Sequence, residues 1–116
     1  MSSSDLVAAL LQSIGVDNPH GLSDNTARIE VHENRVVGLK LVPGLKVDAD
    51  ETDDGINVEI RVEAGVRLQK PVHICFGVLP EDGRQHIDLD VRIHQDAHAS
   101  FLAHCTFPNA VQVQHL

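Results

Sequence analysis

The sequence predicts an all-β chain wound as a parallel β-helix behind one short amino-terminal α-helix, and three observations carry that expectation. The stretches Ala27-Arg28-Ile29-Glu30-Val31-His32, Val58-Glu59-Ile60-Arg61-Val62-Glu63 and Leu89-Asp90-Val91-Arg92-Ile93-His94 begin 31 residues apart. Within each, apolar residues alternate with charged residues or His, as in a strand with one buried face. The same offset relates the turn-type residues Asn34, Gly65 and Asp96, and also His73 to His104 and Phe76 to Phe107. A fixed repeat of this length is what stacked coils produce.

The elements follow in chain order. Ser4 is placed to cap a helix whose apolar positions Leu6, Val7, Leu10, Leu11 and Ile14 keep a helical period, and Gly15 is placed to end it. Residues 17–25 are dense in turn formers and read as a linker. The chain then divides into residues 1–26, helix and linker, and residues 27–116, the coiled segment of a single domain. Besides the repeats, short runs rich in branched aliphatics at 35–42, 45–49, 66–68, 72–78, 97–103 and 111–113 read as strands, with Pro43-Gly44, Asp53-Asp54-Gly55 and Pro80-Glu81-Asp82-Gly83 as punctuation. The acidic run 48–54 reads as a solvated loop, since it lacks the ordered ligand spacing of a calcium loop.

Charge tests the stacking, because opposite side chains on adjacent strands interact. Stacking the first two copies sets Arg28 against Glu59 and Glu30 against Arg61. The next step sets Glu59 beside Asp90 and Arg61 beside Arg92, which needs diagonal partners for relief. An antiparallel sandwich also carries alternating strands at regular spacing and stands as the competing fold.

Composition excludes several functions. A formal charge of -8 with nine Lys and Arg argues against nucleic acid and against an anionic membrane surface. The longest apolar run, residues 6–11, is far short of a bilayer span. There is no basic, apolar export signal at the start, and Cys75 and Cys105 are too few for a disulfide framework, so a cytoplasmic chain with reduced thiols is expected.

Lys70-Pro71-Val72-His73-Ile74-Cys75-Phe76-Gly77 and Ala103-His104-Cys105-Thr106-Phe107-Pro108-Asn109-Ala110, followed by Val113 and His115, resemble the core of the SufB/SufD family. The likeness runs from about Ile60 to His115, and the His-Cys-Thr-Phe-Pro stretch carries most of it. The resemblance implies a right-handed parallel β-helix and a non-enzymatic scaffold for iron–sulfur cluster assembly. It also implies a SufC-type ATPase and a SufB-like or SufD-like subunit as partners. Members of that family continue into further coils and a terminal helical region that contacts the ATPase, and their assembly-critical Cys and His lie there. None of those positions exists in this sequence. The resemblance therefore assigns no catalytic or cluster-binding residue here, implies no tightly bound cofactor, and suggests a truncated form.

Read from the residues alone, eight His and two Cys raise a metal site. His73 and Cys75 share one strand face, whereas His104 and Cys105 are adjacent and point to opposite faces. Stacked coils would bring His73, Cys75 and His104 into one three-ligand cluster. The preferred alternative is structural, with Cys acting as a small buried hydrophobe and His as a hydrogen-bonded strand residue. His94 and His98 fall around a turn rather than on a helix face and make a poor ligand pair. No nucleophile elbow, phosphate-binding Gly loop or paired-Cys zinc motif occurs. The glycines are expected at turns.

The sequence stops at Gln114-His115-Leu116 within an apolar alternation, so an open coil edge is expected to self-associate into a homo-oligomer. Two other functions compete with the scaffold. One is a small metal-dependent β-barrel enzyme using His73, Cys75, His86 and His104, and the other is a structural interaction module.

Overall fold

A computed structural model describes residues 2–16 and 26–116; the linker expected at 17–25 lies outside the described residues. Helix α1 (Ser3–Ser13) is capped by Ser2 rather than Ser4. The Ser2 hydroxyl accepts from the Asp5 backbone N–H at 3.2 Å, while the Asp5 carboxylate accepts from the Ser2 N–H at 3.2 Å. A cap at Ser4 would set Val7 at the third helical position, with no carboxylate to complete this reciprocal box, which favours Ser2. Gly15 ends the helix as expected. It adopts φ 95°, its N–H donates to Gln12 and that of Val16 to Leu11, so the last carbonyls are satisfied by a left-handed terminator.

The rest of the chain is β1 (Arg28–His32), β2 (Arg35–Lys40), β3 (Leu45–Glu51), β4 (Ile56–Val62), β5 (Val72–Gly77), β6 (Asp82–Gln85), β7 (Ile87–Ile93), β8 (Phe101–Thr106) and β9 (Gln112–His115). They form three sheets in the orders β2-β1-β5-β8, β3-β4-β7 and β6-β9. Four ladders are parallel: β4 with β7, β5 with β8, β6 with β9 and β1 with β5. The other two, β1 with β2 and β3 with β4, are antiparallel. Among the described residues the chain is thus mostly strand with one amino-terminal helix, its sheets are mixed, and no barrel closes.

Two of the three repeats stack as expected. Ile60 lies beside Val91 in a parallel register. The same step of 31 continues past the strands, where Arg67 bridges His98. It also covers the turns, since Gly65 at φ 75° and Asp96 at φ 60° adopt the same left-handed conformation.

The first copy does not join them. β1 pairs with β5, setting Ile29 beside Ile74, and the strand that lies on β4 from its other side is β3, running antiparallel. The reason lies in the chain between. Glu33, at φ 53°, turns β1 back into β2 as a hairpin, so the backbone never completes a coil before β4. Arg28 consequently meets Glu30 on its own strand instead of Glu59, and Arg61 meets Asp48 of β3 at 3.0 Å. The acidic run is partly strand: β3 extends through Asp48 and Asp50, with the turn confined to the segment around Asp54. Residues 66–68 supply a single bridge at Arg67, β8 begins only at Phe101, and the turn-like Asp82 and Gly83 open β6.

The core is aliphatic, formed by Ile29, Val31, Val58, Ile60, Val62, Ile74 and their neighbours. On β7 the equivalent inward positions are open: Leu89, Val91 and Ile93 are 43%, 40% and 43% exposed. Helix α1 covers the outer face of the four-stranded sheet, burying Val7, Leu10 and Leu11. Not all glycines serve turns. Gly77 and Gly38 lie in strands, and a Cβ on Gly77 would overlap Leu10 and come within 3.0 Å of the Thr106 carbonyl oxygen. Gly77→Ala is therefore expected to cost about 1–3 kcal/mol in urea unfolding. Combining it with Leu10→Ala should give less than the sum of the two losses; strict additivity would show that α1 does not sit against Gly77.

Candidate functional site

On the covered outer face, alternation along β1, β5 and β8 brings the chain's chemistry-bearing side chains together. Arg28 and Glu30 of β1 lie in register with His73 and Cys75 of β5. Cys75 in turn lies in register with His104 of β8, and His73 with Leu102. The predicted step of 31 thus becomes 29 here. Four residues, 68–71, separate Arg67 from β5, but only Ala99 and Ser100 separate His98 from β8. A slip of two preserves which face each side chain takes, so His104 stays on the face of His73 and Cys75 while moving one pair along. The His73 and His104 rings are neighbours, with centroids 5.1 Å apart. Cys105 is on the opposite face, in register with Phe76, and is exposed; neither cysteine forms a disulfide.

Burial controls the electrostatics. Glu30 is fully buried and accepts from Arg28 at 2.6 Å. Burial nevertheless outweighs the Arg28 charge and raises the Glu30 carboxyl above its ordinary value. The Cys75 thiol is pushed up to about 12, first by burial and then by the negative charges of Glu30 and Cys105. His73 is held below its usual range by burial and by the positive charges of His104 and Arg28. Near neutral pH, Cys75 is therefore a thiol and His73 a neutral imidazole, neither poised as a nucleophile.

Glu30 Oε2 and His73 Nδ1 have no hydrogen-bond partner among the described residues. That combination invites a metal, but no three of His, Cys, Asp and Glu among the described residues are grouped so as to hold one. The donor set does not fit a metal centre as it stands. His86, the fourth ligand of the β-barrel alternative, sits between β6 and β7, where its backbone N–H donates to Asn34 Oδ1 at 2.9 Å, and the barrel that reading required is not formed. His94 and His98 flank the Asp96 turn; the Ala97 N–H donates to the His94 carbonyl, and His98 is taken up in the bridge to Arg67.

Two residues matter more than their sequence suggested. Glu30 reads as one charged residue of an outward alternation, and only the placement of α1 shows that this face is covered. The available signal was the amphipathic helix itself, which needs an apolar surface to lie on. Gln85 is buried, and its Nε2 donates to the carbonyls of Glu33 (2.7 Å), Gly77 (3.2 Å) and Val31 (3.4 Å), tying the hairpin turn to the coil corner. Asn34 adds a second tie there, through Arg84 and His86.

The chain is similar to an iron–sulfur cluster assembly SufBD family protein of Pyrococcus horikoshii, with 32% identity over 77% of this chain and 27% of that protein. It is equally similar, at 32% identity over 77% of this chain, to an iron–sulfur cluster assembly SufBD family protein of Methanocaldococcus jannaschii, of which it covers 28%. The chain thus spans little more than a quarter of the length of either relative. No family model matches it, and no solved structure matches it.

Two measurements check the site. Alkylation of the native protein followed by mass spectrometry should label Cys105 ahead of Cys75, which should react only on unfolding; equal labelling would contradict the buried thiol. His73 and His32, both lowered chiefly by burial, bind fewer protons folded than unfolded below the ordinary value of 6.5. Stability is therefore lost as pH falls through that window, and His73→Gln should make the loss shallower in urea titrations. Glu30 has the opposite sign, regaining stability as pH falls from its raised value toward 4.5.

Proposed function

This chain belongs to the SufB/SufD-like family of iron–sulfur cluster assembly proteins, and from that premise we propose that it acts as a non-enzymatic scaffold segment in building such clusters. The observation that carries the reading is the 32% identity spread over 77% of this chain in two relatives whose names agree on iron–sulfur cluster assembly. The parallel ladders of β4 on β7, β5 on β8 and β6 on β9 support a further element, that the segment is the start of a right-handed parallel β-helix capped by β1, β2, β3 and α1.

In this proposal the cluster is cargo, assembled on residues beyond the outer-face site. The neutral thiol of Cys75 and neutral ring of His73 are organised for packing rather than for holding iron. A SufC-type ATPase and a SufB-like or SufD-like subunit are the proposed partners. A reducing setting, the cytoplasm, is part of this proposal, and the free thiols of Cys75 and Cys105 support it.

Removing this chain from its host tests the reading. Cluster-dependent enzymes should lose activity and bound iron while their polypeptide levels stay unchanged, and the tagged chain should retain an ATPase subunit through native purification. Full cluster occupancy in its absence would contradict the proposal.

A further inference from the structure

Several hydrogen bonds tie the β1–β2 hairpin turn to the chain that follows β5. The Glu33 N–H donates to the Gly77 carbonyl at 2.9 Å, Gln85 Nε2 reaches the Glu33 and Gly77 carbonyls, and Asn34 holds Arg84 and His86. These groups are all backbone or side-chain amides, which do not titrate near neutral pH. One further tie differs: the Leu79 N–H donates to His32 Nε2 at 3.2 Å.

That bond specifies a protonation state. Nε2 must be bare to accept, so the neutral ring carries its proton on Nδ1, which lies 4.0 Å from Glu33 Oε1. An imidazolium has an N–H on both nitrogens, and its Nε2–H would point at the Leu79 N–H, donor against donor. A charged ring and this bond are therefore incompatible.

The surroundings decide where the change falls. The His32 side chain is 11% exposed and lines a polar cleft. On its own strand Glu33 is its neighbour and Glu30 lies two residues back on the same face. Arg35 of β2 is in register with it, and Glu51 and Asp53 line the far side of the cleft. β5 offers Gly77, and α1 offers Ser3 and Leu6, none of them charged. Glu33 favours the charged ring, but burial outweighs it and holds His32 below its ordinary value of 6.5.

The neighbouring bonds do not involve His32. The Val78 N–H donates to the Thr106 carbonyl at 3.2 Å, and the Leu79 carbonyl accepts from Asn109 Nδ2 at 2.8 Å. Losing the His32 bond thus frees Leu79 from β1 and leaves it held from the β8 side.

From this donor geometry we propose that His32 is a proton-operated latch: taking a proton at Nε2 releases the Leu79 amide and unties the segment after β5 from the end of β1. This goes beyond the scaffold reading and does not depend on it.

Amide exchange of the full chain, followed by NMR and expressed as protection over the intrinsic rate, tests the latch. The released form binds a proton that the latched form excludes, so release is favoured as pH falls below 6.5. In that range Leu79 should lose protection by up to about tenfold per pH unit, while Val78 beside it keeps its own. Ring nitrogen shifts should show Nδ1–H and a bare Nε2 at neutral pH, and the ring should charge where the Leu79 protection is spent. His32→Gln removes the titrating group, so the pH step at Leu79 should vanish whether or not the new amide oxygen reaches the Leu79 N–H. Leu79 protection that is constant between about pH 7 and 5, an equal loss at Val78, a step surviving in His32→Gln, or an Nε2–H ring at neutral pH would overturn the proposal.

Discussion

Alternation along the strands is the constraint from which the rest of this structure follows. Each inward residue of β4 meets its equivalent on β7, and each inward residue of β1 meets its equivalent on β5. A strand must keep its apolar side chains on one face, so a parallel neighbour shifts against it in steps of two and not of one. The shortened corner between His98 and β8 obeys that rule, moving the register by two residues and leaving every side chain on its face. Ile74 and Phe76 stay inside, while His73 and Cys75 stay outside.

The outer face would then be wet but for α1. The helix lies over Glu30 and Gly77, and two of the strand glycines, Gly38 and Gly77, let it approach: Gly38 is where a Cβ would come within 2.5 Å of Glu30 Oε1 and 2.7 Å of Val7 Cγ2. Ser13 and Thr106 close the far end with a 2.7 Å hydroxyl hydrogen bond. Burial is the dominant influence on Glu30, Cys75 and His73 alike. The site's electrostatics are therefore a product of packing, with Arg28 providing the counter-charge. Removing one member of such a buried pair costs more than the pair contributes, which binds the two residues together in any variant.

What could be read from the sequence was whatever depends on local period. The strand stretches at 58–63 and 89–94, the matching turns at Gly65 and Asp96, the Gly15 terminator and the family likeness around His73 and His104 all rest on patterns within a few residues or on a fixed spacing. What could not be read depends on long-range choices. Ala27-Arg28-Ile29-Glu30-Val31-His32 carries the same alternation as its two look-alikes, yet a left-handed Glu33 folds it into a hairpin and sends it to a different sheet. Alternation records which face a residue takes and not which neighbour it meets. The covering of Glu30 by α1, and the triple carbonyl grip of Gln85, belong to the same class of information.

The central claim is that β4 and β7, and β5 and β8, pair in parallel, with a parity-preserving slip between the two ladders. Solution NMR of interstrand backbone contacts tests it most directly. The account predicts parallel-type contacts linking Ile60 with Val91 and Cys75 with His104, and contacts linking Ile29 with Ile74. Contacts joining Ile29 to Ile60, or an antiparallel pattern between β4 and β7, would contradict it.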